Sequence, residues 1–219
     1  MQPCPSLTGQ IVLKGSGSTA PPDFTRVQLR LESRATATPG LIAPSAIVAA
    51  DGTFRFDDVI PGAVRLTATV PASVGAAAAW TSRSAIVGGS DMMDMPFTVE
   101  PGQNISGVVV TLVDSAAEIG GRLLDAPGNT GPQLYVLVFS RDKTHWAPGS
   151  RRVASVLASD TGAYAITSLP PGDYYLCALT DLDNDLRFDA TYLEQLVPAA
   201  IAITLGEGEK LKKDLQVSR

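Results

Sequence analysis

The sequence predicts an all-β chain made of two tandem antiparallel β-sandwiches. Three observations lead to this prediction: two stretches about 110 residues apart resemble each other, apolar residues alternate with polar ones at period two, and turn residues recur about every 8 to 12 positions. The chain holds 20 glycines and 16 prolines among 219 residues, which suits many short strands joined by tight turns.

The internal repeat is clearest in a segment that reads as strand, turn and strand. Residues 51–62 resemble residues 160–172, and Phe54 falls on Tyr164 at an offset of 110. In both segments aromatic or aliphatic residues alternate with polar or small ones, as expected of a half-buried strand. A Pro-Gly pair then follows, and this pair predicts a chain reversal into the next strand.

A second match sets the domain boundary. Residues 98–111 resemble residues 204–217 at an offset of 106. Two copies of one domain explain both matches, with the join between them at residues 114–117. We therefore predict domains at 1–115 and 116–219. The remaining strands are predicted at residues 9–13, 27–31, 64–69, 105–113, 119–124, 134–139, 153–157, 174–179 and 211–217.

One strand has a different outer face in the two copies. Its outward positions are Arg65, Thr67 and Thr69 in the first copy, and Tyr175, Cys177 and Leu179 in the second. An apolar face of this kind should be covered by another element. Either the insertion at residues 182–202 or the first copy could cover it, and we predict the insertion, with a short helix near residues 190–196. Cys177 would then be a buried free thiol, and a disulfide between Cys4 and Cys177 is the alternative.

The same features resemble a known family. The pattern combines a glycine in the first strand, the run Asp-Gly-x-Phe-x-Phe-x-x-Val-x-Pro-Gly at residues 51–62 with its counterpart at 160–172, and a Pro-Gly-x-x-Ile ending at Ile105. It resembles the carboxypeptidase regulatory-like domain, a transthyretin-like (prealbumin-like), Ig-like β-sandwich. The sequence around the repeats looks like that of large multi-repeat bacterial exported proteins.

The resemblance implies a non-catalytic module. Such a module would be a spacer or accessory segment, with the other domains of a longer polypeptide as its partners. Its expected location is secreted, periplasmic or on the cell surface. Two alternatives stay open: a carbohydrate-binding accessory module, and a hydrolase with a site formed between the two domains.

Composition excludes several other classes of protein. One histidine and two cysteines are too few for a multi-histidine zinc site, a zinc ribbon or a disulfide scaffold. The formal net charge is −5, which argues against a nucleic-acid partner, and no apolar run is long enough for a membrane span. Lys210, Lys212 and Lys213 are interpreted as a solvated strand edge. The first five residues lack a signal-peptide pattern, so a cytosolic protein or a mature fragment is expected.

An acidic loop is the strongest candidate for a metal site. Asp181, Asp183, Asp185 and Asp189 supply carboxylates at spacings that Ca²⁺ prefers, although the loop lacks the glycine and the final glutamate of an EF-hand. Calcium is therefore the one metal considered, and an ordinary polar loop that includes Arg187 is the alternative.

Two tryptophans are the candidates for a sugar-binding surface. Trp80 and Trp146 could stack on pyranose rings, and the alternative is that they cover the edges of the sandwich core. His145 has no nucleophile or orienting acid in a recognisable pattern, so no catalytic residue is predicted.

Overall fold

A computed structural model describes residues 4–15, 20–33, 43–71, 80–125, 134–183 and 186–217. The chain divides into two compact units, Met1–Ser115 and Ala116–Arg219. The described residues form seventeen β-strands, a single α-helix and four short 3-10 turns. The prediction of an all-β chain is thus confirmed for the part of the chain that is described.

Unit 1 consists of two sheets. Its strands are β1 (Ser6–Lys14), β2 (Gln28–Ser33), β3 (Ile47–Val48), β4 (Thr53–Phe56), β5 (Gly62–Thr69), β6 (Thr81–Val87), β7 (Ser90–Asp91), β8 (Phe97–Val99) and β9 (Asn104–Val113). One sheet has the spatial order β3-β4-β1-β9-β6-β7, and the other has the order β2-β5-β8. Alternate apolar side chains from both sheets meet in one core, as in Leu29 and Leu31 of β2, which are almost fully buried.

Unit 2 has the same layered form. Its strands are β10 (Glu118–Asp125), β11 (Tyr135–Ser140), β12 (Val153–Leu157), β13 (Ala163–Thr167), β14 (Gly172–Leu179), β15 (Ile201–Leu205), β16 (Lys210–Lys212) and β17 (Leu215–Val217). One sheet has the order β12-β11-β14-β15, while β10 pairs with β13 on one side and with β16 and β17 on the other. The core between these sheets contains Tyr164, Ile166, Tyr174 and Leu176.

The strand pairing differs from the predicted antiparallel arrangement in one respect. β1 runs parallel to β9, from the pair Ser6 and Asn104 to the pair Lys14 and Val113. β10 is likewise parallel to β16 and β17. A parallel pair needs a long connection, and the first and last strands of a unit are separated by almost the whole unit. The sheets that contain these strands are therefore mixed.

The backbone of the two units recurs in detail. Gly9 pairs with Phe54 across β1 and β4, and Gly121 pairs with Tyr164 across β10 and β13. On the other side of the first strand, Leu7 pairs with Ile105 and Ile119 pairs with Leu211. Phe54 and Tyr164 are 110 residues apart and Ile105 and Leu211 are 106 apart, which are the two offsets that the sequence comparison gave.

The segment that precedes the edge strand β8 or β15 folds differently in the two units. In unit 1 it forms β6 and β7, and β6 pairs with β9. In unit 2 it forms the helix α1 (Ala190–Leu196) between two 3-10 turns, Leu186–Phe188 and Val197–Ala199. The helix predicted near residues 190–196 is therefore confirmed, whereas β6 was not predicted.

Candidate functional site

The outer face of the sheet β12-β11-β14-β15 is covered by α1 and its flanking turns. Leu193 of α1 is fully buried and packs with Leu137, Phe139 and Cys177 of the sheet. Asp189 caps the helix, because its carboxylate accepts a hydrogen bond of 2.8 Å from the backbone N–H of Tyr192. The predicted cover over Tyr175, Cys177 and Leu179 is confirmed.

Cys177 is a buried free thiol, as predicted, and Cys4 is an exposed free thiol. Burial raises the pKa of Cys177 from 9.0 to about 12, because a thiolate would lose its hydration inside the apolar cluster. A thiol with so high a pKa is a poor nucleophile at neutral pH. The geometry thus gives Cys177 a packing role.

Both predicted sugar-stacking residues are buried. Trp80 is 8% exposed, lies in the core of unit 1 and donates its indole N–H to the carbonyl of Ala20 at 2.8 Å. Trp146 is 6% exposed and donates to the carbonyl of Ser140 at 2.7 Å. Neither indole presents an open face to a sugar ring, so the interpretation as core residues replaces the stacking surface.

The predicted calcium ligands do not converge within the described residues. Asp181 and Asp183 are exposed, Asp189 uses one carboxylate oxygen as the helix cap, and Asp185 lies outside the described residues. In the ranges that the structure describes, no three His, Cys, Asp or Glu side chains are close enough to hold a metal ion. Calcium binding at this loop stays a prediction.

His145 belongs to the short turn Lys143–His145. The carboxylate of Asp142 caps this turn, accepting hydrogen bonds from the backbone N–H and the hydroxyl of Thr144. These two hydrogen bonds lower the pKa of Asp142. The second oxygen of Asp142 is 3.7 Å from Nδ1 of His145. These contacts of Asp142 order the loop that contains His145.

A groove in unit 2 is the site that sequence reasoning missed. It has a volume of about 410 Å³ and lies against β10, β13 and β16. Glycines and an alanine line it together with cationic side chains: Gly120, Gly121, Ala163, Arg122, Lys210 and Lys212. The sequence signal for this groove was weak, because glycine and alanine shape it by leaving space and such residues form no recognisable motif.

No described helix is long and apolar enough to cross a membrane.

No protein-family model and no curated protein matches this chain. Among solved structures, 96% of the chain aligns with the TIE protein of Bacillus anthracis at 14% identity and a TM-score of 0.32. The aligned chain spans 33% of that protein's length.

Two further matches are pilins. The minor pilin of Streptococcus agalactiae aligns with 96% of the chain at 13% identity and a TM-score of 0.35, over 94% of its own length. A double mutant of the shaft pilin SpaA from Lactobacillus rhamnosus GG aligns with 96% of the chain at 11% identity and a TM-score of 0.34, over 96% of its own length. These values are too low to support an argument about activity or partners.

Proposed function

We propose that this chain is a non-catalytic structural module, a spacer within a longer exported bacterial protein. In this proposal the two units are tandem domains of the carboxypeptidase regulatory-like type. The other domains of the same polypeptide are the partners, and the module is secreted, periplasmic or on the cell surface.

The observation that carries the proposal is the parallel pairing of the first and last strands of each unit. β1 pairs with β9 over most of its length, and β10 pairs with β16 and β17. When a chain with this pairing is pulled by its ends, the two strands are drawn in opposite directions along their own axes. All hydrogen bonds of the ladder then resist the pulling force together, whereas the ladder of a hairpin pulled apart at its open end would break one bond at a time. This geometry suits a segment that transmits tension between its neighbours.

The roles of the candidate chemical residues also support a structural function. Trp80 and Trp146 are core residues with hydrogen-bonded indoles, and Cys177 is buried beneath α1. Asp189 and Asp142 each cap a short helix or turn. Each of these side chains stabilises the fold where it stands.

Pulling on the full chain by its two ends with an atomic force microscope tests the proposal. We expect two separate unfolding events, because each unit has its own core. Fully extended, unit 1 would be roughly 400 Å long and unit 2 roughly 360 Å, at about 3.5 Å per residue, so each event should release that length less the end-to-end distance of the folded unit. A single event for the whole chain, or extension without a force peak, would contradict both the spacer function and the two-domain division.

A further inference from the structure

The groove in unit 2 combines small lining residues, with the carboxylate of Glu118 beside Gly120, and cationic side chains that form no ion pair with another described residue. Gly120 and Ala163 form part of the floor, and the exposed side chains of Arg122, Lys210 and Lys212 line it. Within the described residues, none of these three cations forms an ion pair. Three unpaired cations around one groove are notable in a chain with a net charge of −5.

Two carboxylates beside the groove accept hydrogen bonds from the backbone and keep their negative charge. Asp214 accepts a hydrogen bond of 2.8 Å from the backbone N–H of Arg122, and Glu209 accepts one of 2.6 Å from the backbone N–H of Gly206. Glu118, which pairs across the strands with Lys210, is the one acidic residue that lines the groove. Among the residues that line the groove there are three cations and one carboxylate, an excess of two positive charges.

Unit 1 provides an internal comparison, because its strands pair in the same register. The residues equivalent to Gly120, Arg122 and Lys210 are Thr8, Gln10 and Asn104. Here the polar side chains satisfy one another or the backbone: Ser6 donates to Asn104 at 2.8 Å, and Thr8 donates to the carbonyl of Ile105 at 3.4 Å. In unit 2 the equivalent positions hold glycine, arginine and lysine, so these hydrogen bonds between neutral polar groups are replaced by cationic side chains.

The edge beside the groove is also open in unit 2. In unit 1 the strand β6 pairs with the last strand, β9. Among the described residues of unit 2, no strand pairs with the far side of β16 or β17. An extended segment can therefore approach the groove along this edge.

The spacing of the cations indicates the shape of the ligand. Lys210 and Lys212 are two positions apart on one strand, so their side chains point to the same side, roughly 6.6 Å apart. On the neighbouring strand β10, Gly120 pairs with Lys212. Arg122 lies two positions further along β10, so it places a third cation at a similar distance in the same direction. An extended peptide with acidic residues at alternate positions has the same spacing.

We propose that this groove binds an extended acidic peptide segment whose carboxylates, at alternate positions, pair with Lys210, Lys212 and Arg122. The segment lies along β16 over Gly120 and Ala163. The proposal is independent of the spacer function, and its failure would leave the pulling experiment unaffected.

Fluorescence anisotropy with two capped, labelled heptapeptides tests the proposal on the full chain. One is Thr-Glu-Thr-Glu-Thr-Glu-Thr, and the other is Glu-Thr-Thr-Glu-Thr-Thr-Glu, which has the same composition but places successive glutamates on opposite faces of an extended chain. We expect the alternating peptide to bind at least about fivefold more tightly, and its affinity to fall with added salt. Equal binding of both peptides, or no binding of either, would overturn the proposal.

Variants locate the binding site. The double substitution K210Q and K212Q removes two exposed charges and should lower the affinity for the alternating peptide at least about fivefold. The matched control K14Q and R30Q removes two exposed cations from unit 1 and should change the affinity by less than about twofold. Ala163→Thr introduces a threonine, the residue found at the equivalent position 53 of unit 1. The larger side chain should fill part of the groove and weaken binding without changing the charge. Equal losses in the control and the groove variants, or tighter binding of an oligogalacturonate than of the alternating peptide, would also overturn it.

Discussion

Asp58 and Ser168 share an uncommon backbone conformation at equivalent places in the two units. Their φ angles are 53° and 63°, and among the described non-glycine residues no others have positive φ. Each follows the strand that pairs with the first strand of its unit, and each precedes a buried aliphatic residue, Val59 or Leu169. The left-handed conformation turns the chain so that this aliphatic side chain enters the core.

Glycine should relieve strain at these positions. For an L-residue the left-handed region costs about 1 kcal/mol or more, while glycine loses somewhat more chain entropy on folding. We therefore expect Ser168→Gly to leave the free energy of unfolding unchanged or to raise it by up to about 1 kcal/mol, and Ser168→Val to lower it by about 1 to 2 kcal/mol. Urea unfolding measures both. Ser115→Gly is the control, at an exposed residue without positive φ, and should be mildly destabilising. Greater stability of the valine variant than of the glycine variant would contradict the account.

Gly121 is required because a neighbouring carbonyl lies where its Cβ would be. A Cβ at Gly121 would be 1.9 Å from the carbonyl oxygen of Lys213, whereas a Cβ at Gly120 would meet nothing closer than 3.3 Å. We expect Gly121→Ala to lower the free energy of unfolding by about 3 kcal/mol or to prevent folding of unit 2. Gly120→Ala, the adjacent control, should cost less than about 1 kcal/mol. Thermal unfolding of the two variants decides the point, and similar melting temperatures would contradict it.

The cover formed by α1 should govern the reactivity of Cys177. At pH 8 we expect one thiol, the exposed Cys4, to react rapidly with Ellman's reagent, and two to react in denaturant. Leu193→Ala removes a fully buried side chain from the same cluster and should speed the reaction of the second thiol at least about tenfold. Gln195→Ala, on the exposed side of the helix, is the control and should have little effect. Two rapidly reacting thiols in the native chain would show that Cys177 is not covered.

Burial of Cys177 also predicts a loss of stability in alkali. Its pKa is raised from 9.0 to about 12, so below about pH 9 the thiol is protonated in both the folded and unfolded states. Between pH 9 and 12 only the unfolded chain gains a thiolate, and the free energy of unfolding should fall by up to about 1.4 kcal/mol per pH unit. Cys177→Ala should reduce this slope in urea unfolding, while Cys4→Ala should not. An unchanged slope in the Cys177 variant would contradict the burial.

Sequence reasoning succeeded where one strand or turn carries its own signal. The alternation of Phe54 and Phe56, followed by a Pro-Gly turn, predicts a strand and a reversal that are both present. The apolar face of Tyr175, Cys177 and Leu179 predicts a cover, and α1 provides it. In both cases the information lies in a few consecutive residues.

The parts that were missed depend on contacts between distant residues. β6 has four polar residues followed by three apolar ones, so it shows little alternation, and it is held as a strand by its pairing with β9. The parallel pairing of β1 with β9 depends on the path of the whole unit. The groove of unit 2 depends on small side chains on two strands and cations on a third. The tryptophans could be assigned to a core or to a surface only when their neighbours were known.

The most direct measurement of the spacer proposal compares two pulling directions in unit 1. Cys4 lies just before β1, and Gln103 lies just before β9, at the ends where the parallel strands begin. In the Gln103→Cys variant, pulling by the chain ends shears the β1 and β9 ladder, while pulling through the introduced thiol and Cys4 opens it from one end. The account predicts an unfolding force for unit 1 at least about twofold lower in the second geometry. Equal forces in both geometries, measured on the same variant, would contradict it.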